Sequence, residues 1–144
     1  MPIRVRDIEW DSDAYGETLD LREGVLRTPL WTRLREEDIA GEDHQIHLAA
    51  YDKQTLVGCV VLKPIDGNRL KLRQMAVDPA RQRQGIGTSL VRAAIETARD
   101  LGFDGIEMDA RASAEAFYRR LGFKPHGERY DIIGIEHIRM TQTV

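Results

Sequence analysis

With a single cysteine, Cys59, in 144 residues, the chain has no internal disulfide framework. Cys59 stands in an apolar, strand-like run, where a thiol is expected to be buried and structural rather than a nucleophile. No stretch approaches membrane-spanning length, and Met1-Pro-Ile-Arg-Val-Arg-Asp lacks the apolar region of a signal peptide, so a cytoplasmic protein that makes no use of a membrane is expected. An excess of positive charge is missing too. The 21 Lys and Arg against 24 Asp and Glu give a net charge of −3, which argues against the basic stripe a nucleic-acid partner requires. What is present is 42% hydrophobic residues, enough for one domain with a sizeable core, so residues 1–144 are expected to form a single domain.

The most informative segment runs from Met75 to Leu90, where a strand-like stretch ends in Asp78-Pro79 and a glycine-punctuated turn opens an apolar-periodic helix. Gln82, Gly85 and Gly87 stand in the spacing Q-x-x-G-x-G. Glycines there let backbone N–H groups approach an anion near the positive end of a helix dipole, the construction of a pyrophosphate cradle. A dinucleotide fold would need a third glycine where Leu90 stands, and a P-loop would need a lysine after Gly87, where Thr88 stands. The pattern resembles motif A of the GNAT superfamily of acyl-CoA N-acyltransferases, whose [RQ]-x-x-G-x-[GA] loop binds the coenzyme A pyrophosphate through backbone amides. One departure is visible: the family often has a glycine where Arg83 stands, which would shift contacts from backbone toward side chain.

Along the chain, Ile3 and Val5 alternate with charges as a first strand would, and Tyr15 to Arg27 is loosely helical. Residues 28–45 lose periodicity and carry Glu36, Glu37, Asp38, Glu42 and Asp43, which reads as a solvated acidic loop with Trp31 and Leu34 as its apolar anchors. Ile46 to Tyr51 and Thr55 to Leu62 read as two strands of an antiparallel meander. In the next strand Leu70 and Leu72 keep a period of two, but the following apolar pair is Met75 and Val77. A β-bulge near Arg73-Gln74 would produce that slip. From Gly87 to Leu101, Leu90, Val91, Ala94, Ile95, Ala98 and Leu101 follow helical spacing, with Gly102 as the stop. Ile106, Met108 and Ala110 then alternate with Glu107 and Asp109, a strand parallel to the one before the helix. Ser113 is placed to cap a short helix stopped by Gly122, and Phe123 to Ile133 and His137 to Thr141 read as two closing strands.

Ala114-Glu-Ala-Phe-Tyr-Arg-Arg-Leu-Gly-Phe123 resembles motif B of the same superfamily, A-x-x-[FL]-Y-x-x-x-G-F, at every fixed position. Taken alone, Phe117-Tyr118 on an apolar helical stripe would more often be core than chemistry. Two motifs in the family's order reverse those odds. The resemblance implies an α/β (α+β mixed) GNAT fold: a central mixed, mostly antiparallel twisted sheet with a splayed parallel strand pair and flanking helices. It also implies acetyl-CoA as acyl donor, held by Gln82, Arg83, Gln84, Gly85, Ile86, Gly87 and Thr88, with Met75, Ala76 and Val77 pairing the pantetheine arm and Ala114 and Phe117 beside it. No metal is implied.

The implied reaction is acetyl transfer to the primary amine of a small molecule or peptide by direct attack. The family's usual acid for the departing thiolate corresponds to Tyr118, and a backbone N–H around Met75 to Val77 is its usual oxyanion donor. Candidate bases or substrate-binding groups are His137, Asp109 and Glu107. Gly134-Ile-Glu-His-Ile-Arg-Met140 resembles the G-I-x-H-x-x-M run of the ElaA-like branch, whereas the N-terminal half lacks that branch's Glu-Gln after the first helix. If the acidic stretch from Glu36 to Asp43 borders the cleft, it would favour a cationic acceptor. A homodimer is common in the superfamily, and a non-catalytic acyl-CoA sensor is the rival reading.

Overall fold

The computed structural model describes residues 2–144. The fold is built on β1 (Ile3–Ile8), α1 (Asp13–Leu26), α2 (Glu36–Ile39), β2 (Ile46–Asp52), β3 (Thr55–Ile65), β4 (Arg69–Val77), α3 (Ile86–Asp100), β5 (Gly105–Arg111), α4 (Glu115–Arg120), β6 (Lys124–Ile132) and β7 (Ile135–Thr143). These strands form one sheet in the order β1-β2-β3-β4-β5-β7-β6. Among the described residues β4 and β5 are its one parallel pair, as the crossover through α3 requires. Short turns join the antiparallel pairs β2–β3, β3–β4 and β6–β7, while β1–β2 and β5–β7 are antiparallel across longer connections. The β6–β7 hairpin turns on Ile133 and Gly134, both with positive φ, as a two-residue loop matching strand twist demands. That hairpin puts β7, not β6, beside β5.

α3 covers one face of the sheet, burying Ile86, Leu90, Val91, Ala94, Ile95 and Ala98 against residues such as Leu48, Val60, Leu62 and Leu72. The approach is close enough to require glycine at position 58, where an added Cβ would lie 2.9 Å from Ile86 Cγ2 and 3.0 Å from Leu90 Cδ1. Because side chains alternate along a strand, His47 points to the opposite face, where Tyr15 of α1 meets it edge-on with ring centroids 5.0 Å apart.

The expected bulge is present. Cys59 pairs with Ala76 and Val61 with Arg73, so one residue of β3 is opposed by both Gln74 and Met75, and Gln74 takes a left-handed φ of 50°. Downstream, parallel pairing is limited to Arg69 with Gly105, Leu70 with Ile106 and Lys71 with Glu107. Beyond these three rungs β4 and β5 part.

Three expectations need correction. Trp31 anchors nothing: it takes a left-handed φ of 58° at the end of the turn Thr28–Leu30 and is 97% exposed, with no element packed over it. The acidic stretch is not uniformly solvated: Glu42 is fully buried. Ser113 caps no helix, because β5 continues to Arg111, Ser113 falls inside a 3-10 turn, and α4 starts at Glu115 with Ala114 at its N-cap.

Candidate active site

Where β4 and β5 diverge, a cleft of about 1030 Å³ opens between the sheet, the N-terminus of α3, α4 and the β6–β7 hairpin. One side is a backbone cradle. Gly85 caps α3 at φ 82° with no side-chain hydrogen bond, and the helix's first backbone bond runs from Ser89 N–H to the Gly85 carbonyl at 3.0 Å. The N–H groups of Ile86, Gly87 and Thr88 therefore lack intrahelical partners and face the cleft at the positive end of a 15-residue helix. Arg83, where relatives of this motif often carry glycine, has φ 66°, a conformation that explains the preference for glycine there. Gln82, Arg83, Gly85, Ile86, Gly87 and Thr88 all line the cleft, while Gln84 is exposed outside the lining.

Motifs A and B meet directly. A Cβ on Gly87 would lie 3.3 Å from Phe117 Cζ and 3.8 Å from Met75 Cε, so the start of α3 packs closely against both α4 and the bulged strand. Met75 and Val77 line the cleft, whereas the Ala76 side chain turns into the interior, as alternation requires. Ala114 and Phe117 complete this wall. Tyr118 is 6% exposed, held edge-on between Phe117 (5.0 Å) and Phe123 (5.8 Å), and still contributes to the lining. Burial alone pushes its hydroxyl up to about 12, so it holds its proton throughout the neutral range.

The other side of the cleft is polar. Arg111 on β5, His137 on β7 and Tyr130 on β6 are successive cross-strand partners and form one row on the sheet. His137 Nδ1 lies 2.7 Å from the Ile135 carbonyl. A carbonyl can only accept, so Nδ1 carries a proton and, in the neutral ring, Nε2 keeps its lone pair. Asp109 accepts from the Tyr130 hydroxyl and pairs with Lys71 at 2.9 Å. Burial works to raise its carboxyl, but these two donors outweigh it and hold the group below the usual carboxylate range. Glu107 lies outside the lining, bonded to Arg69 at 3.1 Å and Arg139 at 3.3 Å. The segment 36–43 also contributes nothing to the lining, which corrects the expectation of an acidic rim: Asp38 pairs with Arg27, and Glu42 turns inward. Arginines dominate instead.

Behind the bulge lies a cluster that sequence reasoning passed over. Glu42 accepts from Arg22 Nη1 (2.8 Å) and Nη2 (2.6 Å), Arg73 Nη1 (3.0 Å) and the Tyr15 hydroxyl (2.7 Å), while Arg22 Nε donates to Gln74 Oε1 at 3.2 Å. Both Arg22 and Glu42 side chains are 0% exposed. The available signal was spacing: Tyr15, Thr18 and Arg22 recur on the inward face of α1, an arginine where an apolar residue is the rule.

Comparison with known proteins adds a consistent picture. The sequence model of the acetyltransferase (GNAT) family matches residues 5–123. Human N-acetyltransferase 8 is 35% identical over 89 residues, covering 56% of this chain and 39% of that protein, so the chain spans about two fifths of that relative's length. Escherichia coli ElaA shares the fold with a TM-score of 0.83 at 23% identity, covering 98% of this chain and 99% of ElaA. A Bacillus subtilis acetyltransferase solved in complex with CoA superposes with a TM-score of 0.74 at 22% identity, covering 99% of each chain.

Proposed function

The chain belongs to the acetyltransferase (GNAT) family, and on that premise we propose that it is an N-acetyltransferase, moving an acetyl group from acetyl-CoA to the primary amine of a small molecule or peptide by direct attack in a ternary complex. The observation that carries this reading is the convergence of an unpartnered helix N-terminus, a bulged strand and a buried tyrosine on one cleft. The backbone from Gln82 to Thr88 fits a pyrophosphate, and the edge of β4 at Met75 to Val77 fits the amides of a pantetheine arm. Acetyl-CoA supplies an activated acyl carbonyl on a sulfur leaving group.

The chain's own residues meet three demands. An amine of pKa roughly 10 arrives mostly protonated, and Nε2 of His137 is the acceptor for its proton, because Nδ1 is committed to the Ile135 carbonyl. Asp109 serves this step poorly, being ionised but occupied by Tyr130 and Lys71. A backbone N–H in the Met75–Val77 segment stabilises the developing oxyanion. Tyr118 donates to the departing sulfur as the carbon–sulfur bond breaks. Its hydroxyl, near 12, stands above a free thiol of about 8.5, and the burial that raises the tyrosine acts on a thiolate in the same place, narrowing that gap.

Two measurements test this. Acetyl-CoA and CoA, but not NADH or ATP, are expected to raise the unfolding midpoint. Thiol release in an amine screen is expected to fall about a hundredfold in Tyr118→Phe, with the fold retained. A tyrosine variant with wild-type turnover would remove Tyr118 from the mechanism. CoA binding with no thiol release from any amine would favour a non-catalytic sensor.

A further inference from the structure

The acceptor side of the cleft carries a charge that no acid answers. Arg27, just after α1, and Arg111, at the end of β5, both line the cleft and are both half-buried. Their guanidinium groups converge on one backbone oxygen, the Leu26 carbonyl, with Arg27 Nη1 at 3.2 Å and Arg111 Nη2 at 3.4 Å. Arg27 has a carboxylate, Asp38, at 3.2 Å. Among the described residues Arg111 has none. The other cations that line this part of the cleft each contact a carboxylate, Lys71 that of Asp109 and Arg73 that of Glu42, which Arg22 shares, whereas the Arg27–Asp38–Arg111 group has one positive charge in excess and its Arg111 contacts no acid. Burial and the neighbouring Arg27 depress the Arg111 guanidinium, the mark of a cation held where it lacks compensation. A neutral carbonyl at 3.4 Å is a poor substitute for a carboxylate on a half-buried fork of donors.

Placement gives this charge a use. Arg111 is the cross-strand partner of His137, so their side chains emerge side by side on the same face of the sheet. An acceptor whose amine reaches His137 Nε2 therefore passes Arg111. The exposed Ile132 and Ile133, at the hairpin tip, give the same opening an apolar lip. We propose that Arg111, assisted by Arg27, binds an anionic group of the acceptor, so that the substrate is an amine bearing a carboxylate or phosphate rather than a simple cationic amine. This rests on the reading of the cleft as the site of N-acetyl transfer. Arg111 is then the residue that selects the acceptor.

The test separates binding from turnover. With CoA saturating, the twenty common amino acids and their carboxamides, and phosphoethanolamine with ethanolamine, are titrated calorimetrically against the wild type, Arg111→Met and Arg111→Lys. The carboxamides and ethanolamine keep the amine and remove the anion, and the two families distinguish carboxylate from phosphate. At least one anionic amine is expected to bind about tenfold to a hundredfold more tightly than its neutral counterpart, the range for a hydrogen-bonded charge. Arg111→Met is expected to abolish that ratio and Arg111→Lys to restore part of it, while CoA affinity stays within about twofold, which also reports that the variants are folded. Neutral amines binding as well as anionic ones, no anionic amine binding at all, or a ratio that survives in Arg111→Met would overturn the proposal. Thiol release with the same amines reads the transferase assignment separately: selective binding without release supports the anion site and counts against the enzyme.

Discussion

Replacing Glu42 by glutamine removes one charge and almost no volume from a site where two oxygens accept four hydrogen bonds from Arg22, Arg73 and Tyr15. Arg73 reaches partial solvent and has further acceptors in Gln45 Oε1 and the Asp38 carbonyl, so it can adjust. Arg22 cannot, because its side chain is 0% exposed and its remaining acceptor is Gln74 Oε1 at 3.2 Å. Removing one partner of a fully buried ion pair costs about 3–5 kcal/mol. In a domain of ordinary stability, about 5–15 kcal/mol, that is about a fifth of the total or more. At about 2–4 °C per kcal/mol for a chain near this length, the midpoint should fall by roughly 10 °C. Urea unfolding of Glu42→Gln against wild type reads the free energy directly. The double variant Arg22→Met/Glu42→Gln should be less destabilised than Glu42→Gln, because it removes the fully buried cation while keeping an acceptor for Arg73 and the Tyr15 hydroxyl.

The same pair predicts a pH dependence. Burial raises the Glu42 carboxyl, but Arg22, Tyr15 and Arg73 together bring it below its ordinary value. A carboxyl depressed in the folded state contributes its full stability above the unfolded pKa, near 4.5, and loses it as pH falls through the folded value. Wild-type stability should therefore drop with acid below about pH 5, and the drop should be shallower in Glu42→Gln. A loss under about 1 kcal/mol in Glu42→Gln at pH 7, or equal acid slopes in the two proteins, would refute the account of this cluster.

Gly58→Ala should cost about 1–3 kcal/mol in chemical denaturation, since its methyl would press on Ile86, Leu90 and the Ala76 carbonyl at 2.9–3.3 Å. Arg83→Gly should do the reverse: relief of a left-handed φ, about 1–2 kcal/mol, exceeds the entropy glycine adds to the unfolded chain, for a net gain of about 0.5–1 kcal/mol. A net loss there would show that the Arg83 side chain stabilises the loop. His137→Phe should lower kcat/KM by about 10²–10⁴ while CoA affinity is unchanged; a variant that keeps wild-type kcat/KM assigns the proton acceptor to another group.

Much of the architecture was legible because its signals are local. The phase slip between Leu72 and Met75 is a one-residue event in one strand, and it appears in the structure as the extra residue opposite β3. The helical stripe from Leu90 to Ala98 and the fixed positions of the two motifs are likewise contained in short windows. What escaped is what depends on distance along the chain. Glu42 lies 20 residues from Arg22 and 31 from Arg73, and composition alone made it one more charge in an acidic loop. Trp31 was misread for the same reason in reverse: an aromatic residue suggests burial, but nothing comes to cover it. The basic character of the acceptor side could not be counted from a net charge of −3, because Asp38, Glu42 and Asp109 are each paired and the excess charge at Arg111 emerges only after that pairing.

The three-rung ladder between β4 and β5 has a consequence for how the domain coheres. The four strands before α3 and the three after it are nearly separate ribbons, stitched at one end and open at the other, as a partly closed zip would be. Along the opening, the backbone of β4 from Met75 to Val77 retains donors and acceptors that β5 does not meet. An extended molecule with amides of its own, lying in the gap, would act as the missing teeth and tie the two ribbons together along the open end.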